Sequence, residues 1–320
     1  MNVSIADRRS ARRMVFEHLR DRTMVGPVDN DPRDGTALAL GVPGITLAPG
    51  GDVTAFGRRC HPQERRLTDL LNTGGLYFAD RPALEAAHGE GYDPVLYRAF
   101  RDFLPPRYVS DDHCNPAGTP GHEIAESSGY MFADLVVYQA GTLPGGEFFR
   151  STGHWNLPWQ LEIFQILIGQ VLMLVGGRDR RGQPFLYSQV CGPGEAMAVP
   201  FGVWHVSYVL DGPAVVFNVT TDVTTLAGER GFRQGPARQG PAKYRRAAPI
   251  AVTACRRNAG YHLVGPQAAS RWGPLAGPPD TSWLRPFLAV TDSLADLHLY
   301  ASSSRLADLQ RAALHAYRLM

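Results

Sequence analysis

Apolar and polar positions along this chain repeat with two periods, and the places where the period changes mark its elements. In the first 25 residues Met14, Val15 and Leu19 share one face of a helical wheel, with Arg12, Arg13 and Arg20 opposite. That pattern predicts an amphipathic helix. The next forty residues are broken by Gly26-Pro27, Asp31-Pro32 and Pro49-Gly50-Gly51, with short apolar pieces such as 37–42 between them. They predict wrapping loops and edge strands. A short helix is predicted over 81–87.

From residue 130 the pattern becomes β-like. Residues 130–139 are apolar and β-rich, Gly141 to Gly146 form a turn, and 162–175 are almost continuously apolar around Gly169. Two buried strands meeting at that glycine are predicted. A polar hairpin tip at 178–182 and a turn at Cys191-Gly192-Pro193-Gly194 separate further strands at 184–190, 197–199, 203–209 and 214–220. Short strands at this spacing, punctuated by Gly and Pro, predict a closed all-β barrel. Residues 228–250, with Arg233, Arg238, Arg245 and Arg246 among Gly and Pro, read as a linker or surface strap. Residues 292–320 turn helical, with Ser304 as the expected N-cap and Leu306, Leu309, Ala313 and Tyr317 on one face. This helix is expected to cover the barrel or a subunit contact. The division expected is an N-terminal helix and wrapping segment at 1–63, a barrel at 64–235, and a strap with a helical extension at 236–320.

Composition narrows the function classes. A net charge of +2 over 320 residues gives no footing for nucleic acid or an anionic membrane surface. Cys60, Cys114, Cys191 and Cys255 are far apart and show no metal or disulfide spacing. The arginines between Arg8 and Arg13 are not followed by an apolar stretch, and no apolar run approaches the roughly 18 residues that span a bilayer. A soluble, cytoplasmic protein is expected. Cys60, Cys191, His61, His113 and His122 match no ligand geometry, and His113-Cys114 follow Asp111-Asp112 in a polar loop; all are expected to be surface polar residues.

Two segments do carry ligand chemistry. The first is Gly153-His154-Trp155-Asn156, five residues, Glu162, six residues and Gly169. The second is Gly194, five residues, Pro200-Phe201-Gly202, two residues and His205. The pair resembles the cupin double signature, in which two strand pairs of a small barrel aim imidazole and carboxylate groups at one metal ion. Side chains alternate along a strand, so residues 154 and 156 share a face. His154, Glu162 and His205 are the expected ligands of one divalent ion, iron, manganese, nickel or zinc. Asn156 stands where the signature has a second histidine, and it is either a fourth ligand or a hydrogen-bonding wall.

Reading outward, the chain resembles the cupin-type (archaeal-type) phosphoglucose isomerases over about 64–235. Arg65-Arg66-Leu67-Thr68-Asp69-Leu70 is similar to that family's Arg-x-Leu-Ser-Asp-Leu, and Phe78-Ala79-Asp80 and Val95-Leu96-Tyr97 follow in order. Gly145-Gly146-Glu147-Phe148 and Ser151-Thr152-Gly153-His154 stand where the family reads Gly-Asp-Glu-Tyr and Thr-x-Gly-His-Tyr-His; Asp222, Leu226 and Gly231-Phe232 keep its spacing. The resemblance implies an all-β cupin barrel, a double-stranded β-helix, with an N-terminal extension of strands and a helix and a C-terminal helical tail. It also implies a homodimer, a small-molecule substrate, and Glu162 as a proton-transfer group between aldose and ketose phosphates.

The departures gather where the phosphate would sit. Phe164 and Gly202 replace tyrosines, Val137 replaces a threonine, and Thr221-Asp222-Val223 replaces His-Asp-Tyr. Ser151 and Gly153 alone keep a phosphate-compatible character, while Trp155, Trp159, Phe164 and Trp204 crowd the region as core or as pocket wall. The expected site therefore has Ser151, Gly153, Trp155, Phe164 and Trp204 around the substrate. The leading expectation is a metal-dependent isomerase or related lyase, acting on a molecule other than glucose 6-phosphate in a specialised biosynthetic pathway. Three alternatives stand beside it: a sugar-phosphate isomerase using Arg150 or Arg178, an iron dioxygenase, and a ligand-binding cupin without catalysis.

Overall fold

The computed structural model describes residues 5–20, 24–27, 38–41, 44–48, 51–109, 130–179, 181–223, 251–258, 260–265, 280–291 and 293–318. The predicted strap at 228–250, the residues His113, Cys114, His122, Asp111 and Asp112, the Asp31-Pro32 break, and Leu226 and Gly231-Phe232 lie outside them.

Helix α1 (Ile5–Arg20) precedes five short strands, β1 (Met24–Pro27), β2 (Leu38–Ala39), β3 (Ile45–Leu47), β4 (Val53–Ala55) and β5 (Arg58–Cys60). They form an antiparallel sheet in the order β1-β5-β4-β3-β2. Strand β6 (Gln63–Arg66) and helices α2 (Leu67–Leu71) and α3 (Arg81–Gly89) lead into the larger sheet. Its strands are β7 (Val95–Tyr108), β8 (Tyr130–Tyr138), β9 (His154–Trp155), β10 (Gln160–Arg178), β11 (Pro184–Cys191), β12 (Ala196–Val199) and β13 (Trp204–Asp222). The order is β11-β10-β13-β8-β7-β6, with β12 added to β10 and β9 to β13. A hairpin, β14 (Thr253–Arg257) and β15 (Gly260–Val264), precedes α4 (Arg285–Thr291), α5 (Leu294–Tyr300) and α6 (Ser303–Arg318).

The barrel is built on β10 and β13, each 19 residues long and paired along their lengths. Where the sequence predicts two strands meeting at Gly169, one strand bends through it. Gly169 has φ +76°, and a Cβ there would lie 2.5 Å from the Pro213 carbonyl oxygen. Only glycine allows the two backbones to touch at this corner. Three register shifts between Ile166 and Val171 absorb the bend. The N-terminal half of β10 then pairs with β12, and the C-terminal half with β11.

Alternation sorts the side chains into layers. Phe164, Ile166, Met173, Val175, Val209 and Val216 meet Tyr97 and Val136 in one interior cluster. The alternate residues Leu161, Ile163, Val215, Phe217 and Val219 pack outward against Val15, Leu19, Leu306 and Leu309. On the other half, Leu172, Leu174, Trp204, Val206 and Tyr208 pack outward against Val252 and Ala254. Segments at both ends of the chain therefore coat the outside of the barrel.

Several local expectations change. Helix α1 buries Ala11, Val15 and Leu19, a spacing of four, while Met14 is exposed. The tail is capped by Ser302 and not Ser304: Ser302 Oγ accepts the Arg305 amide at 3.2 Å. Leu306 and Leu309 are fully buried, worth about 2 kcal/mol each. Cys60 and Cys191 are not surface residues; they lie free in apolar surroundings that push the thiols up to about 12 and about 11. His61 is exposed as expected. Strand β7 is the main element the pattern misses. Register shifts between Phe100 and Leu104 and between Leu104 and Arg107 break its alternation, and Pro105-Pro106 lie inside it.

Candidate metal centre

Strand β9 contributes only two residues, but its register sets the site. His154 stands directly opposite His205, and Trp155 opposite Trp204. The two imidazoles therefore share the inner face, with ring centroids 4.2 Å apart. Glu162 comes from β10, where it pairs with Val199 and Thr220. Its Oε2 lies 3.2 Å from His154 Nε2 and 3.5 Å from His205 Nε2. One ligand atom from each residue falls within 4.8 Å of the others.

The other carboxylate oxygen, Oε1, accepts a 2.8 Å hydrogen bond from Asn218 Nδ2. Burial pushes the Glu162 pKa up, but the facing His154, then His205 and Arg101, outweigh it, and the carboxyl stays below its ordinary range. His205 goes the other way: burial, helped by His154, drives its pKa down to about 3 against the pull of Glu162. A neutral imidazole beside a carboxylate is the ligand form that a divalent ion needs.

The donor set fits such an ion. Bonds of about 2.1 Å place neighbouring ligand atoms roughly 3.0–3.4 Å apart, close to the 3.2 and 3.5 Å between carboxylate and imidazoles. A buried polar atom also lacks a partner in the same region. Asn156 Oδ1 is buried and accepts nothing among the described residues, while Nδ2 reaches Pro200 O only at 3.5 Å. The structure leaves both roles for Asn156 available, ligand or wall.

The remaining expected residues separate by face. Phe164 lies inside, its ring 5.4 Å from that of His205. Ser151 Oγ accepts the Ser207 amide at 3.1 Å, at the edge of the interior. Gly153, at φ +69°, packs against the Trp204 ring, which a Cβ would meet at 2.8 Å. Trp155 and Trp204 belong to the outer apolar layer instead. Each neighbours a ligand histidine in sequence, and alternation turns neighbours to opposite faces. The pocket wall expected of these indoles is therefore absent from the inner face. Val137 likewise packs outward.

The two arginines considered as phosphate holders are elsewhere. Arg150 is buried with its Nε 2.8 Å from Glu147 Oε1, an ion pair without hydrogen-bond alignment, and it donates to Tyr77 O. Arg178 donates to Gly182 O at the hairpin tip. The inner face instead carries groups that sequence reasoning passed over: Asn218, Ser207, Tyr138, and the Arg101–Asp134 pair at 2.7 Å. Asn218 and Asp134 had a signal: Asp134 is the lone charged residue of β8, and Asn218 interrupts the apolar run 214–219 of β13.

A scan against protein-family models finds no match, and a search of curated proteins finds none. Similar solved structures include Peruvianin-I, a cysteine peptidase from Thevetia peruviana latex, at 15% identity over 29% of this chain and 51% of that one, with a TM-score of 0.23. The cupin domain of Schizosaccharomyces pombe Cnp3 aligns at 10% identity over 43% and 75%, with a TM-score of 0.26. A recombinant oxalate oxidase in complex with glycolate aligns at 16% over 48% and 61%, also at 0.26. The chain thus spans about half the length of the first. Similarities of this extent carry no argument about activity. Strand order, the bent β10–β13 pair and the two-sided burial make the fold itself an all-β barrel.

Proposed function

We propose that this protein is a metal-dependent enzyme of isomerase type, with one divalent ion held by His154, Glu162 and His205. The observation that carries this reading is the position of Glu162: Oε2 faces both imidazole Nε2 atoms while Asn218 holds Oε1. An ion bound there would polarise a carbonyl or hydroxyl oxygen of a small molecule and ease proton transfer at the adjacent carbon.

The chain's own groups support such chemistry. Glu162 has both oxygens engaged, which favours the role of ligand over that of general base. Tyr138, beside Ser207 and Ser151 and held protonated by burial, can donate to a substrate oxygen. Phe164 and Met173 shield the floor from water. The sugar-phosphate alternative loses its two candidate cations, since Arg150 is spent on Glu147 and Arg178 lies at the hairpin tip.

Elemental analysis of the wild type beside Glu162→Gln, Glu162→Ala and His205→Ala tests the reading. Near-stoichiometric iron, manganese, nickel or zinc in the wild type, lost in the alanine variants, is the expected result. Wild-type protein that stays metal-free after reconstitution overturns it. Oxygen uptake coupled to product formation would replace the isomerase by a dioxygenase.

A further inference from the structure

Among the described residues Arg101 is the cation of the barrel interior, and its setting is built. It sits in a bulge of β7: Phe100 pairs with Leu135 and Leu104 with Ala133, so residues 101–103 stand against Asp134 alone. Alternation from Tyr97 and Ala99 carries Arg101 onto the inner face, and the bulge then turns both Phe103 and Leu104 outward. The residue after Arg101, Asp102, has φ +48°, a strained value for a residue with a Cβ. Three bonds hold that geometry. The Asp102 amide donates to Asp134 Oδ1 at 2.8 Å, Arg101 Nη1 donates to Asp134 Oδ2 at 2.7 Å, and His18 Nε2 of α1 donates to the Asp102 carbonyl at 2.6 Å.

The bulge is tied to the metal centre. Asp134 pairs in register with Asn218, the residue that holds Glu162. Tyr97 and Tyr138, with rings 5.3 Å apart, share the inner face. Asp134 is fully buried, yet the Arg101 side chain is 40% exposed, so its remaining donors can be reached by a ligand. Among the described residues Asp134 takes its only hydrogen bond.

Charge selects the ligand. Arg101 and Asp134 cancel and Glu162 adds one negative charge, so a divalent ion, which takes imidazole in its neutral form, leaves the interior at about +1. That balance suits a monoanion and not a phosphate dianion. A guanidinium already tethered on one side offers a flat, two-donor edge, the geometry that a carboxylate matches.

We infer that Arg101 binds the carboxylate of the substrate, which is a small molecule bearing a carboxylate and a hydroxyl or carbonyl oxygen, the latter directed to the metal centre. This deepens the proposed function and rests on it. The specificity comes from a residue on β7, outside the two metal-binding segments.

Calorimetric titration of metal-loaded protein tests this, with lactate as probe, 1,2-propanediol as the same molecule without its carboxylate, and inorganic phosphate. Arg101→Met exposes Asp134 to the loss of its partner, so Arg101→Met/Asp134→Asn, which removes both charges, is measured beside it, with Arg101→Lys. Lactate binding that exceeds propanediol and phosphate binding in the wild type, and falls by roughly tenfold or more in the double variant while metal content is kept, is the expected result. Arg101→Lys should lie between. Equal lactate binding in wild type and double variant, both metal-loaded, overturns the inference and leaves the metal reading intact. So does metal-loaded wild type that prefers phosphate or ignores lactate. Wild type without metal sinks both.

Discussion

Asn218 on β13 donates its Nδ2 hydrogen to Glu162 Oε1 on β10 at 2.8 Å, turning the other carboxylate oxygen toward His154 and His205. The amide fixes the carboxylate's rotation within a buried layer where a stray oxygen would be costly. Asn218→Leu should weaken metal binding by roughly 10–100-fold, the usual effect of losing a group that orients a ligand. Competition with a chelator of known affinity measures this. Unchanged affinity would mean that Glu162 is oriented by the strands alone.

The corner at Gly169 predicts a stability effect. Gly169→Ala places a methyl 2.5 Å from the Pro213 oxygen at φ +76°. It should cost about 2–4 kcal/mol, read from urea denaturation, because strain and overlap add. A loss under 1 kcal/mol would show that β13 can move away freely.

Acid sensitivity should trace to His298. Its Nε2 donates to Pro105 O at 2.8 Å, while Nδ1 is buried without a partner among the described residues. Burial and the neighbouring Arg107 lower its pKa from 6.5 to about 4, despite the Pro105 bond. The unfolded chain therefore binds this proton first as pH falls. Stability is full above about pH 6.5 and declines toward pH 4, by roughly 3 kcal/mol at most. His298→Gln, which keeps a donor for Pro105, should flatten that part of the stability–pH curve. An unchanged slope would point to other titrating groups.

Helix α6 docks through polar contacts of unequal quality. Gln310 Nε2 donates to Thr221 Oγ1 at 2.6 Å in a buried position, whereas Tyr317 OH reaches Ala198 O at 3.3 Å. Gln310→Leu should cost about 1–2 kcal/mol and Tyr317→Phe at most about 1. Denaturant midpoints of the two variants give the order directly, and the reverse order would show that α6 is held by its tyrosine.

Much of the barrel is legible in residue order because alternation and turn chemistry are local. The strands at 130–138, 184–191 and 196–199, and the turning points Gly169 and Gly202, follow from apolar runs and strand breakers. The His154, Glu162 and His205 set is legible for the same reason: two short segments with fixed gaps carry it. Parity along β9 and β13 would also have turned Trp155 and Trp204 outward, since each adjoins an inward histidine.

Register between distant strands is not local, and there the tertiary structure decided. Asn218 meets Glu162 only because β13 and β10 pair with a particular offset after three register shifts. Arg101 meets Asp134 only because β7 and β8 pair in a register whose bulge leaves residues 101–103 opposite that one carboxylate. The sequence by itself determined most of the barrel's strands, β7 excepted, and the three residues able to hold an ion. Packing across the sheet determined what surrounds them: a fixed carboxylate, a tethered guanidinium and an outer coat of helices, because side-chain direction after a bend or bulge depends on which backbone it is paired with.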